Sequence, residues 1–157
     1  MTSPAEIRLT LGAAQDATAI RTLTRAAYAK WVPLIGREPL PMSVDYVEAL
    51  SRHRFDLLEA DGELAALIET TPQDDWLLIV NVAVEPSCQG RGYGRRLLVH
   101  AETLAAEAGL EGTRLYTNKL FAANLRLYSA LGYEIEREEA LNGGIAVHMA
   151  KARDVSP

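Results

Sequence analysis

From Val82 to Leu98 the chain reads Val-Ala-Val-Glu-Pro-Ser-Cys-Gln-Gly-Arg-Gly-Tyr-Gly-Arg-Arg-Leu-Leu. An apolar run leads into glycines at alternate positions, Gly90, Gly92 and Gly94, and then into an amphipathic stretch. Glycine lets the main chain approach a ligand closely and adopt positive φ. The first N–H groups of a helix have no internal partner, and the helix start carries about half a positive charge. Together they offer a seat for a phosphate or a pyrophosphate. Arg91 and Arg95 are placed to add charge-assisted hydrogen bonds. Arg91, Arg95 and Arg96 form a local cationic patch, with no carboxylate between Cys88 and Leu97. The competing interpretation is a plain strand-to-helix bend whose arginines are solvated. Two other phosphate motifs fail. In the dinucleotide pattern G-x-G-x-x-G the glycine after Gly92 comes one residue too early, and the P-loop pattern lacks its Gly-Lys-Ser/Thr.

Such a loop needs a buried strand before it and a helix behind it. Trp76 to Val84 is a nearly continuous apolar run, as expected of a central strand covered on both faces, and Pro86 stops it. After the loop, Leu97, Ala101, Leu104, Ala105 and Ala108 share one helical stripe. Upstream, Ile7, Leu9 and Leu11 alternate with polar residues and predict a strand with one buried face. Asp16 is placed to cap a helix with Ile20, Leu23 and Ala27 on one face. Trp31 to Met42, rich in Pro and Gly, predicts a loop, and Ser43 a cap for a short helix through Leu50. Phe55 to Ala60 and Glu63 to Thr70 are strands around Asp61-Gly62, a hairpin signal. Downstream come a strand over Thr113 to Thr117 and a helix from Phe121 to Leu131 ended by Gly132, a natural left-handed cap. A last strand pair, Tyr133 to Arg137 and Ile145 to Lys151, turns at Asn142-Gly143-Gly144. The order is β-α-α-β-β-β-α-β-α-β-β. It predicts an α/β (α+β) fold, with a mixed, mostly antiparallel sheet of six to seven strands flanked by about four helices.

The chain has 157 residues, 48% of them hydrophobic, which predicts one domain over residues 1–157 with a loose tail from about Arg153. The net charge of −5 argues against a general nucleic-acid binder. No stretch approaches the roughly 20 apolar residues of a membrane span. Residues Met1 to Glu6 lack the basic start and apolar run of a secretory signal. The single cysteine, Cys88, excludes an internal disulfide and a cysteine-cluster zinc site. A cytoplasmic protein, monomeric or homodimeric, is expected, with no metal.

The glycine loop and a second segment together resemble the GNAT superfamily of N-acetyltransferases. Gln89, Gly92 and Gly94 match its Gln/Arg-x-x-Gly-x-Gly/Ala signature. Asn118, then Asn124-Leu125-Arg126-Leu127-Tyr128-Ser129-Ala130-Leu131-Gly132-Tyr133, is similar to its Asn…Leu-Tyr-x-x-Leu-Gly-Phe/Tyr segment. The motifs span Val82 to Tyr133, about a third of the chain; the first 70 residues agree in layout only. The resemblance implies an acetyl-CoA-dependent N-acetyltransferase acting by direct attack of an amine on the acetyl carbonyl. It implies that the pantetheine arm pairs with the backbone of Val82, Ala83 and Val84. The pyrophosphate would rest on the amides from Gln89 or Gly90 through Arg91, Gly92, Tyr93 and Gly94 to Arg95. Asn124 would bond the pantetheine arm, and Tyr128 would stand near the thioester sulfur. Asn124 and Tyr128 are four residues apart and so share a helix face, with Leu127 and Leu131 packing inward.

That chemistry sets three tasks. A lysine-like amine, pKa about 10.4, must be made neutral, which costs roughly 4–5 kcal/mol at pH 7. The developing oxyanion needs a donor such as the Val82 N–H. The leaving sulfur needs a proton or a hydrogen bond, the role for Tyr128. Some family members carry a glutamate in the central strand; here Trp76 to Val84 has no carboxylate, and its polar residue is Asn81. Asp74, Asp75, Glu38 and His148 stay open as water-mediated bases or as surface and packing residues. Cys88 is not expected to act, since a reactive thiol needs a paired base and this one abuts the phosphates. In this fold the segment Tyr28 to Met42, with the hairpin near Asn142, walls the acceptor cleft. Tyr28, Trp31, Arg37, Asn81 and Asn118 are the expected acceptor-side residues, Arg37 facing a carboxylate of an amino-acid-like amine. The alternatives are a protein or peptide lysine acetyltransferase and a non-catalytic acetyl-CoA sensor.

Overall fold

The computed structural model describes residues 5–141 and 143–154. Its strands are Ile7–Leu11 (β1), Arg54–Ala60 (β2), Glu63–Gln73 (β3), Trp76–Val84 (β4), Gly112–Asn118 (β5), Glu134–Leu141 (β6) and Gly144–Ala152 (β7). They follow the order β1-β2-β3-β4-β5-β7-β6. The pair β4–β5 is parallel, while β1–β2, β2–β3, β5–β7 and β6–β7 are antiparallel. This is the mixed, mostly antiparallel sheet expected. The helices are Ala17–Tyr28 (α1), Val32–Ile35 (α2), Tyr46–Arg52 (α3), Tyr93–Glu107 (α4) and Ala122–Ala130 (α5). Four were anticipated; α2 is a single turn inside the segment expected to be a loop. Its proline stands in the first turn, where the missing N–H costs nothing, and Gly36 closes it at φ 73.

Packing divides the chain into two compact units. The first runs through Thr70 and again from Asn81 to Val99. In α1 the expected face of Ile20, Leu23 and Ala27 is buried together with Ala17 and Thr24. It shares a core with Tyr46, Ala49, Phe55, Leu57, Leu67 and Ala83. Tyr46 meets Phe55 edge-on, with centroids 6.0 Å apart. The turn at Asp61-Gly62 has positive φ at both residues, 52 and 82, as a type I′ hairpin requires.

Three expectations in this unit are corrected. Leu9 and Leu11 are 46% and 65% exposed, because β1 is an outer strand that pairs only with β2 and its alternation does not find a covering layer. Asp16 precedes α1, but its Oδ2 accepts the Ala13 N–H at 2.8 Å and closes the turn before the helix. Asp45, not Ser43, caps α3: its Oδ1 accepts the N–H groups of Val47 and Glu48 at 3.0 and 3.3 Å. Asp45 holds the extended backbone that a cap needs, whereas the Ser43 hydroxyl donates back to Leu40 O.

The second unit comprises Thr71–Val80 and the chain from His100 onward. Its frame is the β5–β7 ladder, seven register pairs from Gly112↔Ala152 to Asn118↔Ala146. The β4–β5 ladder has two, Leu77↔Thr113 and Leu78↔Arg114. The Arg114 guanidinium stacks 4.3 Å from the Trp76 ring centroid and grips Glu136 through both oxygens, at 3.0 and 3.2 Å. After α5, Gly132 takes φ 98. The Tyr133 N–H donates to Tyr128 O at 3.0 Å and the Gly132 N–H to Ser129 O at 3.1 Å. These two bonds form a Schellman cap, as the glycine predicted. Leu127, expected to pack inward, is 41% exposed, and Ala108, expected on the buried stripe of α4, lies exposed beyond that helix's end. Asn142 of the last turn and residues 155–157 of the tail lie outside the described residues. Arg153 is still tied, its N–H donating to Glu111 O at 2.9 Å.

Strand β4 is covered less than its composition suggests. Leu77, Ile79, Asn81 and Ala83 are buried, and the alternate residues, Val82 and Val84 among them, are half-buried. Apolar, β-branched residues fit a pleated strand without requiring that both faces be covered.

Candidate active site

The glycine loop leaves β4 through a 3₁₀ turn, Pro86–Cys88, pinned by the Glu85 carboxylate, which accepts the Ser87 N–H at 2.7 Å and also bonds the Ser87 hydroxyl. Gly90 and Gly92 then take φ 82 and 81, and a Cβ at either would meet nothing within 4 Å. Both glycines therefore serve the backbone conformation, and the space outside them is open. Gly94 is helical; a Cβ there would stand 3.6 Å from Val84 Cγ2, an ordinary contact. The first bond of α4 runs from the Arg96 N–H to Gly92 O at 3.0 Å. The amides of Tyr93, Gly94 and Arg95 thus precede any intrahelical partner. The Gln89 N–H is already turned to Pro86 O at 3.4 Å, which moves the start of the expected amide run to Gly90. Arg91, Arg95 and Arg96 are exposed and make no hydrogen bond or ion pair among the described residues. Tyr93 contributes only its amide, since its side chain is buried in the core. Ala83 is likewise a core residue. Cys88 is half-buried, with Ser87 Oγ 3.9 Å from its sulfur.

In the first unit two of the expected acceptor-side residues meet. The Tyr28 hydroxyl donates to Asn81 Oδ1 at 2.9 Å, and Asn81 Nδ2 donates to Thr24 Oγ1 at 3.5 Å. The Tyr46 hydroxyl donates to Pro41 O at 2.6 Å. The Tyr28–Asn81–Thr24 bonds form a polar chain that joins α1 to β4. Trp31 carries Lys30 5.0 Å above its ring. Arg37 is half-buried and has no ion-pair partner among the described residues. Glu38 is held by Arg25 through both oxygens, at 2.9 and 3.1 Å. That grip keeps its carboxyl below the usual range and ties the segment before Met42 to α1, since Arg25 also donates to Met42 O at 2.7 Å.

A pair the sequence did not bring forward lies in the same unit. His53 Nδ1 stands 2.7 Å from Glu69 Oε2, and Glu69 is 3% exposed. Burial pushes the Glu69 carboxyl up, and the histidine opposes that shift. A signal existed: Glu69 is a carboxylate inside an apolar strand, two residues beyond Leu67, so alternation turns it to the core face.

In the second unit Asn124 Nδ2 donates to Thr117 Oγ1 at 3.4 Å. Tyr128 is half-buried and packs edge-on against Tyr133 with centroids 5.9 Å apart. The Tyr133 hydroxyl shares a 2.8 Å hydrogen bond with Thr113 Oγ1. The Tyr128 hydroxyl has no such partner among the described residues, and burial pushes its pKa up to about 12. Asn118 Oδ1 accepts the Leu120 N–H at 2.9 Å, a turn-forming role. His148 Nε2 lies 3.2 Å from Glu139 Oε1. Asp74 and Asp75 form the exposed β3–β4 turn, Asp74 at φ 55. Among the described residues no three His, Cys, Asp or Glu side chains could hold a metal ion. No helix among the described residues is long and apolar enough to cross a membrane.

Comparison with known proteins places this geometry in a family. The chain is 33% identical over 92 residues to the uncharacterized N-acetyltransferase YvbK of Bacillus subtilis (strain 168), covering 57% of this chain and 58% of that protein. The chain thus spans less than two thirds of that curated relative. Among solved structures, it is similar to the PaiA N-acetyltransferase of Thermoplasma acidophilum in complex with coenzyme A, with a TM-score of 0.78, 17% identity and coverage of 93% and 99% of the two chains. It is also similar to the ribosomal-protein-S18-alanine N-acetyltransferase of Escherichia coli, with a TM-score of 0.78, 21% identity and 97% of each chain covered. At these identities the structural likenesses speak for the fold alone. The model of the acetyltransferase (GNAT) family matches residues 19–133, more than half of the chain, from within α1 through the glycine loop to the cap of α5. The strand, open glycine loop and capped helix described above are therefore those of a chain that belongs to the GNAT family of acetyltransferases.

Proposed function

We propose that residues 1–157 form one acetyl-CoA-dependent N-acetyltransferase domain that acetylates a primary amine of a small, amino-acid-like molecule by direct attack. We place it in the cytoplasm, as a monomer or homodimer. One observation carries this proposal. Gly90 and Gly92 hold positive φ with open space beside them, at the mouth of a helix flanked by exposed Arg91, Arg95 and Arg96, which have no partner among the described residues. Free amides and unpaired guanidinium groups together suit a diphosphate, and this cradle fits the group that coenzyme A carries.

Acetyl-CoA, when bound, supplies the thioester carbonyl that the amine attacks. The chain's part is to hold and polarise. The amides from Gly90 to Arg95, with Arg91 and Arg95, fix the diphosphate. The backbone of Val82, Ala83 and Val84 and the side chain of Asn124 align the pantetheine arm. The Val82 N–H is the donor for the developing oxyanion, a role worth about 10²–10³ in rate. Tyr128 serves the leaving sulfur. A thiol ionises near 8.5, while the Tyr128 phenol is held at about 12. Full proton transfer from the tyrosine is therefore uphill, and Tyr128 acts as a hydrogen-bond donor. Tyr28, Trp31 and Arg37 face the acceptor, with Arg37 as the match for a carboxylate.

Calorimetry with coenzyme A and rates of thiol release over a panel of free amines and lysine peptides test this together. Gly92→Asp sets a side chain and a negative charge against the diphosphate and should weaken cofactor binding at least tenfold. Unchanged affinity in folded Gly92→Asp would remove the cradle. Tight binding with no release from any amine would make the chain a sensor. Release with peptides alone would move the acceptor to protein lysines.

A further inference from the structure

Acetyl transfer to an amine forms a C–N bond and breaks a C–S bond. The ammonium nitrogen gives up two protons: one ends on the sulfur and the other must leave to water in every turnover. A residue therefore has to collect that second proton, and strand β4 offers no carboxylate.

The buried acids of the first unit narrow the choice. They are Asp56 and Glu69. Asp56 pairs with Ile68 and Glu69 with Phe55 across β2 and β3, so the two point to opposite faces. Asp56 is gripped by Arg54, a permanent cation, at 2.9 and 3.1 Å. Glu69 differs in both respects. Its charged partner is a titratable imidazole, and its face is the one that carries Leu67 and Ala83. Two residues from Ala83 on β4 lies Asn81, bonded to Tyr28 and Thr24. Glu69 thus lies on the strand face whose core carries Leu67 and Ala83, the face to which alternation also turns Asn81, the partner of Tyr28. The groups that bear on it from α3 are His53 and Tyr46. From β2 its neighbour is Phe55, and the polar groups Thr24 and Tyr28 of α1 and Asn81 of β4 carry no charge. His53 is 24% exposed in its side chain, so the pair has one end in the interior and one in solvent.

We propose that Glu69 and His53 act as a unit that takes the proton of the acceptor amine and releases it to solvent at the imidazole. The proposal rests on the acetyltransferase activity proposed above. Glu69 is too enclosed to touch the amine and receives the proton through water. It is a relay residue, and the pair returns to its starting state once the imidazole has passed one proton to bulk water. Glu38, held low by Arg25, and Glu139, held low by His148 and Arg137, are poor competitors for the task.

The test is the pH dependence of kcat/KM, from pH 6 to 10, with the most reactive amine of the panel, in the unaltered protein, Glu69→Gln and His53→Gln. Glu69→Gln should lose about 10²-fold at pH 7, then climb about tenfold per pH unit with the neutral amine and approach the unaltered protein near pH 10. Its coenzyme A affinity should not change. His53→Gln removes the group that holds the Glu69 carboxyl down, so its acid limb should move to higher pH. His53 sits half-exposed at the end of α3, so this variant decides the matter if Glu69→Gln does not fold. Loss by the same factor at every pH, or profiles that superimpose on the unaltered protein, would overturn the relay and leave the transferase standing. No thiol release from any amine by the unaltered protein would overturn both.

Discussion

Helices α1 and α5 both carry residues expected at the site, and they are held in opposite ways. α1 buries five side chains, Ala17, Ile20, Leu23, Thr24 and Ala27, and its polar Thr24 is bound into the chain that joins Tyr28 and Asn81. α5 buries none. It is fixed by the Schellman cap at Gly132 and by the contact of Tyr128 with Tyr133. A helix anchored by its face has little of that face left for a ligand. A helix anchored by its end keeps its side chains available, and the Tyr128 hydroxyl is left without a partner among the described residues.

The contrast can be broken by mutation. Ile20→Ala, at a site with 0% exposure, should cost about 2–5 kcal/mol by lost burial and a residual cavity. Leu127→Ala on α5 should stay within about 0.5 kcal/mol. Urea unfolding of both variants measures this, and similar losses would erase the distinction.

A second prediction uses Tyr46 and Tyr128, each pushed up to about 12; burial raises the Tyr133 phenol as well. A folded pKa above the unfolded value favours the native state fully below about pH 10, and that stability is lost as pH rises through about 12. Unfolding free energy should fall across that window by roughly 2 kcal/mol per tyrosine. The loss should shrink in Tyr46→Phe and shrink further in the double variant with Tyr128→Phe, with buried Tyr133 supplying the remainder. A flat profile from pH 10 to 12 would contradict the burial of both hydroxyls. Smallest in expected effect is Gly132→Ala. It forces a Cβ into a φ of 98 and should cost about 1–2 kcal/mol, measured by the same unfolding curves; no loss would mean that the cap does not hold α5.

Much of this was legible beforehand, for local reasons. The Asp61-Gly62 hairpin, the left-handed glycine after α5 and the strand–glycine–helix succession around Gly92 each rest on the conformations a few adjacent residues allow. The site was legible where it is made of backbone. It was less so where side chains from distant segments meet. Asn81 stood out as the polar residue of its strand, but its bonds to Tyr28 and Thr24 arise from packing. Glu38 was a free carboxylate in the sequence and is bound by Arg25 in the structure. The burial errors have one origin: the exposure of Leu9, Leu11 and Leu127 depends on what lies over them, and periodicity does not report that.

The sequence by itself determined the order of the strands and of the four longer helices, the glycine turns and the amide-rich helix mouth, because backbone conformation is chosen over a few neighbouring residues. Only the tertiary structure decided which charges are neutralised and which stay available. Arg25 closes on Glu38 across 13 positions and His53 on Glu69 across 16, and the ionisation of a buried carboxyl depends on the partner and the desolvation that folding brings to it.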